Sequence, residues 1–397
     1  MEKSTHDEIG ATQPAAAHRP LPAVLLAVAA GVVGPLVALA LGLLTFGVQA
    51  TVQPHHVPLA VGASSPASAS ALAPLSSRVA SQGGDAVDWR TVGSRAEAES
   101  LLDRKEIYGA VLFDPAPGGP TATVLLSGAV NPTATQVAEP LLTRVAETAT
   151  SAARAQAAAQ QAAAAQQPQA AGRAPATPAQ APATPPVPTV RVDTIHPTSA
   201  AGRTVPLAAS ALLWLATLLA GALVAVGPRL RGGAPLGTPA RLAAALTAAL
   251  LGTAVALGLA RLWDPGLPIG WDAAGFLALV GVAFALLQTG VLRWLGPAGL
   301  AVLVPLYLMA PAVAGVPPEL LHPVYRWALW VWTPFRFSTE ALRSLLFLGR
   351  DAPDVQPALW VFGGIGLTGL VLLSAPRPRR RAVAAGPPGD VALRQGG

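Results

Sequence analysis

Thr333-Pro334-Phe335-Arg336-Phe337-Ser338-Thr339-Glu340-Ala341-Leu342-Arg343 places three charges inside the most apolar half of a 397-residue chain. Proline is well tolerated at the first position of a helix, where its missing N–H has no partner to lose, so the spacing predicts a helix from Pro334. Arg336, Glu340 and Arg343 then fall at i, i+4 and i+7 on one face, and Phe337, Ala341, Leu345 and Leu348 on the other. Such a helix is expected to lie in a membrane interface or dip into it, not to cross it.

The surroundings of this stretch set the fold class. The chain is 52% hydrophobic and 12% charged, and its apolar residues are gathered in blocks, as in a membrane protein. Residues 205–226, 240–260, 271–292, 297–316 and 357–374 are each about one span long, and the uncharged run 21–50 exceeds the roughly 20 residues that cross a bilayer. That run is also too long for the h-region of a cleaved signal peptide, the competing reading. The expected fold is therefore an α-helical polytopic membrane protein with six transmembrane helices, one followed by five. A small α/β extracytoplasmic domain is inserted after the first.

Charge gives the orientation. Arg229, Arg231 and Arg241, then Arg293, then Arg377, Arg379, Arg380 and Arg381 fall in expected inner loops and tail, whereas the short loop 262–270 carries Asp264 and no Lys or Arg. This positive-inside pattern puts both termini in the cytoplasm and the insert outside, in the cell membrane as a multi-pass protein. Trp263, Trp271, Trp294 and Trp360 fall near span ends, as interfacial anchors do. Segment 317–356 is outside yet holds Arg326, Arg336, Arg343 and Arg350, offset by Glu319, Glu340, Asp351 and Asp354. Reading 324–348 as a seventh span would bury its charges at mid-bilayer, at about 2.5 to 3.5 kcal/mol for each Arg. An outer re-entrant or interfacial hairpin is expected instead, with Trp327, Trp330 and Trp332 in the headgroup region.

Along the chain, residues 1–20 read as a cytoplasmic tail and 51–167 as the exported α/β domain. Strands are expected at 57–61, 86–92, 107–114 and 121–127. Between the second and third lies a helix over 94–105, with Ser94 as N-cap and Glu97 completing a capping box. The order of elements is that of a small α/β domain. Residues 132–167 are Ala- and Gln-rich, a long helix by propensity. Residues 168–204 join it to the membrane through a Pro/Ala/Thr linker of polyproline character and an edge strand at 190–195. The five-helix membrane domain spans 205–376, and 377–397 is an Arg-rich cytoplasmic tail.

One span, a large exported domain and five spans, with Pro334, Phe337, Glu340, Ala341, Leu342 and Arg343 before the last, resemble the ABC-2 type permeases. The likeness is to the subgroup with an exported insert after the first helix, similar to the phage infection protein family. In that family these positions look like a Pro-x-x-aromatic-x-x-Glu-(Ala/Gly)-Leu-Arg signature in short re-entrant helices. The run 89–114, Ala-Glu-Ser-Leu-Leu followed by Ile-Tyr-Gly-Ala-Val-Leu, also resembles the strand-helix-strand of the insert. The resemblance implies a permease subunit, a homodimer, that exports an apolar or amphipathic substrate. Pro334, Arg336, Phe337, Glu340 and Arg343 are its transport or gating candidates, and its ATP-binding subunit is separate.

Residue chemistry narrows the classes. No Gly-x-x-x-x-Gly-Lys-(Ser/Thr) occurs, and neither of the two lysines, Lys3 and Lys105, follows a Gly-rich loop, so the phosphate cradle of an ATPase is missing. His-Glu-x-x-His and Gly-x-Ser-x-Gly are missing too, so the chain is not expected to be an enzyme. Neither a cofactor nor a metal is expected: there is no Cys, and adjacent His55 and His56 diverge on any regular element. The formal charge of +6 comes from Arg beside apolar spans, not from a basic soluble face, so nucleic acid is not an expected partner whereas membrane lipid is. The alternative to export is a non-transporting scaffold or receptor with an exported interaction domain.

Overall fold

The structure is a computed structural model; it describes Val48 and residues 51–376 apart from 83, 118, 166–189, 231 and 233. The expected first span and the two expected cytoplasmic tails lie outside the described residues, as does most of the Pro-rich linker.

The α/β domain is a sheet covered on both faces. Strands β1 (Val57–Ala63), β2 (Val87–Val92), β3 (Ala110–Asp114), β4 (Thr121–Ser127) and β5 (Val190–Ile195) lie in the order β2-β1-β3-β4-β5. β1 is parallel to β2 and β3, β4 is antiparallel to β3, and β5 is parallel to β4. Side chains alternate along a strand, so Val111 and Phe113 enter one core and Ala110 and Leu112 the other. The first core is closed by helices α1 (Pro66–Ala80) and α3 (Pro132–Ala165) through Leu72, Val79 and Leu142, the second by α2 (Arg95–Asp103) through Ala98 and Leu102. A Cβ at Gly62 would lie 1.8 Å from the Val92 carbonyl oxygen, so the β1–β2 approach requires glycine there.

Local signals account for α2. The Ser94 hydroxyl accepts from the Glu97 N–H at 3.2 Å, and the Glu97 carboxylate accepts from the Gly93 N–H at 2.8 Å, a reciprocal start that satisfies two orphan donors. Helix α1 was not expected from the sequence. Its Ser- and Ala-rich run carries Pro66 and Pro74, residues that punctuate helices, and the signal that overrides them is burial of Leu72 and Val79 on the sheet.

The membrane part is a bundle of α4 (Ala200–Leu230), α5 (Thr238–Trp263), α6 (Trp271–Leu295), α7 (Leu300–Ala314) and α9 (Val355–Ser374), with α8 (Pro334–Phe347) inserted among them. Among the described residues four helical runs are long and apolar enough to cross a membrane: Ala200–Pro228, Thr238–Trp263, Trp271–Ala314 and Val355–Ser374. The third holds both α6 and α7, separated by a reversal at Gly296, whose φ of 61° suits a residue without Cβ. The 15 residues of α7 rise about 22 Å, less than a hydrocarbon core of about 30 Å.

Hydrogen bonds fix which helix ends share a side. Ser199 donates to Asp264 at 2.6 Å, joining the start of α4 to the end of α5. On the opposite side the Trp294 indole donates to the Leu372 carbonyl at 2.7 Å, joining the ends of α6 and α9. Thr133, at the start of α3, donates to the Gly315 carbonyl at 2.9 Å, so the end of α7 lies on the side of the α/β domain. Glycine lets α6 and α9 touch along their backbones: a Cβ at Gly369 would sit 2.4 Å from Leu286 C and Leu287 N. The centre is aromatic, with Trp214 on α4, Phe284 on α6, Phe335 on α8 and Phe362 on α9 having ring centroids 4.8 to 5.5 Å apart.

Candidate functional site

The segment between α7 and α8 descends through three short turns: a 3-10 turn at Pro318–Leu320, a single helical turn at Pro323–Tyr325 and a π-helical turn at Arg326–Trp330. It reverses at Thr333, beyond which Pro334 opens α8, so the proline takes the predicted first helical position. The reversal sits deep. Thr333, Pro334 and Phe335 line one cavity with Trp214, Leu287 and Ile365, residues in the interiors of α4, α6 and α9. The turn of the hairpin is thus packed among the helices of the bundle.

The predicted division of α8 into a charged and an apolar face is corrected by the packing. The buried face is Phe335, Ser338, Thr339, Ala341, Leu342, Arg343, Ser344 and Leu346, whereas Phe337, Leu345 and Leu348 are only half-buried. The three charges also divide into two groups. Glu340 pairs with Arg343 at 2.6 Å, but the Arg336 guanidinium lies 3.9 Å from the ring centroids of both Trp330 and Phe337. The physical reason is that α8 has neighbours on all sides. An Arg with a carboxylate one turn away is buried as a pair, and one without is covered by aromatic faces. Of the three tryptophans expected at the headgroup level, Trp330 stacks on Arg336, Trp332 lines the deep cavity, and Trp327 and Trp332 are both exposed.

Glu340 is the hub of a seam between the α/β domain and the bundle. Its Oε1 accepts from Arg343 at 2.6 Å and from the Asn131 amide at 3.1 Å. Its Oε2 faces Lys105 Nζ at 3.3 Å, and Lys105 also reaches Asp354 at 2.6 Å. Asp354 further accepts from the Ser344 hydroxyl at 3.2 Å. Tyr108 donates to Glu319 at 2.8 Å; burial first, and then the Glu319 carboxylate, push the Tyr108 hydroxyl above its ordinary pKa, so it remains a donor. Lys105, Tyr108 and Asn131 come from the α/β domain, and Glu319, Glu340, Arg343, Ser344 and Asp354 from the membrane part. Five residue pairs are therefore joined by side chains across two units that are about 200 residues apart in sequence, and the Gln53 and His55 N–H groups donate to the Leu320 and Glu319 carbonyls across the same seam.

The sequence reading missed Lys105, Tyr108, Asn131 and Asp354. In the structure Lys105 follows the last turn of α2 with φ 56°, in the left-handed position that helices usually end on with glycine. A lysine kept there, in a chain with so few, is held by what its side chain reaches.

Two cavities flank the hairpin. One, of about 310 Å3, lies at the seam and is lined by Lys105, Tyr108, Asn131, Trp330, Arg336 and Glu340 among others. The other, of about 200 Å3, is the deep one and is almost wholly apolar; the buried Trp214 Nε1 and Thr333 Oγ1, both from residues of its wall, have no hydrogen-bond partner. The five residues singled out from the sequence therefore fall in three places. Arg336, Phe337 and Glu340 meet at the seam cavity, Pro334 lines the deep cavity, and Arg343 is buried beneath Glu340. Among the described residues no three His, Cys, Asp or Glu side chains converge as a metal site would need.

In comparisons with protein-family models, with curated proteins and with solved structures, the chain matches none.

Proposed function

We propose that this chain is the permease subunit of an ABC-2-like export system, acting as a homodimer and moving an apolar or amphipathic substrate outward across the cytoplasmic membrane. The observation that carries this reading is the insertion of α8 into the bundle, with an apolar cavity at its deep end and an exported domain locked to its middle through Glu340. A helix that only anchored a scaffold would have no need to bring a carboxylate, two cations and a cavity to the bundle's interior, since intramembrane charge is costly. In this reading the first span at 21–50 and the five helices that follow give the arrangement of one plus five. α7 completes its pass despite its length, and both termini are cytoplasmic. Releasing Lys105 and Asn131 from Glu340 would lift the exported domain and free the outer end of α8. Energy would come from a separate ATP-binding subunit.

The test is purification of the full chain from mild detergent, followed by identification of what comes with it. A co-purifying ATP-binding subunit, and export lost when Glu340 is replaced, support the reading. An isolated chain whose Glu340 variants leave export from the cell unchanged would overturn it in favour of the scaffold or receptor.

A further inference from the structure

We infer that the seam cavity is a binding site for an anionic group, a phosphate or carboxylate, with Arg336 as its receptor. The acids around the cavity are already engaged: Glu340 by Arg343, Asn131 and Lys105, and Asp354 by Lys105 and Ser344. Lys105 is divided between those two carboxylates. Arg336 is the lining cation without an ion pair among the described residues. Trp330 and Phe337 cover its guanidinium at 3.9 Å each, so its donors point out in the plane of the group. One of them, on Nη2, reaches the Val331 carbonyl at 3.3 Å, and the buried Nε has no partner.

A buried donor without an acceptor is unfavourable, and a planar fork held between two aromatic rings is preorganised for an oxyanion. The rest of the wall favours an amphiphile over a bare ion. Val130, Ala314, Val316, Pro317 and Pro357 are apolar, and at about 310 Å3 the cavity falls at the lower end of the range for small-molecule sites. The ligand class is thus an anionic headgroup with adjoining apolar atoms, or a free oxyanion of the same chemistry. This deepens the permease reading, on which it rests only for the word substrate, because binding is measurable without transport.

The full chain is purified, stripped of lipid and offered equal amounts of phosphatidylglycerol and phosphatidylcholine. Bound lipid is then counted by native mass spectrometry, and radiolabelled inorganic phosphate is offered separately in equilibrium dialysis. The wild type is expected to prefer phosphatidylglycerol. Arg336→Gln should reduce that preference by about tenfold, as loss of a charged hydrogen-bonding partner does. Arg336→Lys should fall between, keeping the charge without the fork, and Arg350→Gln, at an exposed position, should match wild type.

Phosphate bound through Arg336 assigns the free oxyanion as a sufficient ligand. Phosphatidylglycerol bound without phosphate assigns the lipid headgroup. No preference in the wild type together with no phosphate binding overturns the site, and so does a preference that Arg336→Lys and Arg350→Gln leave equal to wild type. These two outcomes decide the matter even where Arg336→Gln fails to fold. Arg336-dependent binding in a chain that exports nothing would remove the permease reading and leave this site standing. Export that continues without such binding would do the reverse.

Discussion

Helices α8 and α9 are neighbours in sequence and in space and are built on opposite rules. α9 carries no charge over its 20 residues, yet most of it faces outward, with Trp360 76% and Leu367 63% exposed. α8 has 14 residues with three charges, and eight of the 14 are buried, Arg343 at 2% exposure. In water the assignment would be reversed. Lipid is as apolar as leucine, so a bundle gains nothing by hiding α9, whereas charge must be hidden with its partner. The packing accordingly places α8 inside and leaves most of α9 exposed.

The largest expected effect breaks the inside half of that contrast. Glu340→Ala leaves Arg343 buried and Lys105 with one partner fewer, which should cost about 3 kcal/mol, the lower end for a pair broken on one side. Arg350→Ala, at an exposed position, should stay within about 0.5 kcal/mol. Thermal unfolding in detergent and the folded yield from membranes read both, and equal values for the two variants would refute the role of Glu340 as hub. Next comes the contact that seats α9. A side chain at Gly369 would meet the α6 backbone at 2.4 Å, so Gly369→Val should cost about 2 kcal/mol by overpacking. The same substitution at Gly363, with nothing within 4 Å, should be close to neutral in the same melting assay.

These two positions also mark how far the sequence could be read. Five of the helices follow from runs of apolar residues, and β4 falls at its expected 121–127 because alternation of Thr with apolar residues is a local signal. The start of α8 is local as well, since Pro334 writes it. The face that α8 buries is not. The pairing of Arg343 with Glu340 at i+3 is available to any helix, but whether Arg336 joins them depends on Trp330 arriving from the preceding turn. Lys105, Asn131 and Asp354 were illegible for a stronger reason: their partners lie across a seam that no periodicity encodes. Gly369 was one glycine among 39, and only the approach of α6 tells it from Gly363.

A smaller effect is expected where the α/β domain meets α8. Lys105→Met removes the cation that joins Glu340 to Asp354 while keeping the length of the side chain. Glu340 retains Arg343 and Asn131, and Asp354 retains Ser344, so the cost should be about 1 kcal/mol, the scale of a charged contact whose partners stay satisfied. Limited proteolysis tells this from a general loss of stability: the α/β domain should become sensitive before the bundle does. Simultaneous cleavage of both would mean that the seam and the bundle are one cooperative unit.

The smallest effect tests the outside half of the contrast. Leu367→Ala shortens a side chain that is 63% exposed on α9, and in a lipid environment its contacts are exchanged for equivalent contacts with acyl chains. The loss in melting stability should stay within about 0.5 kcal/mol, as for a surface position. At Leu342 on α8, 1% exposed, the same substitution opens a cavity and should cost about 2 kcal/mol or more. Two leucines of the same helix-rich region would then differ only by which neighbour each has. A large loss at Leu367 would mean that this face of α9 is covered by protein, as a dimer through α9 requires, and cross-linking between copies at Trp360 would identify the cover.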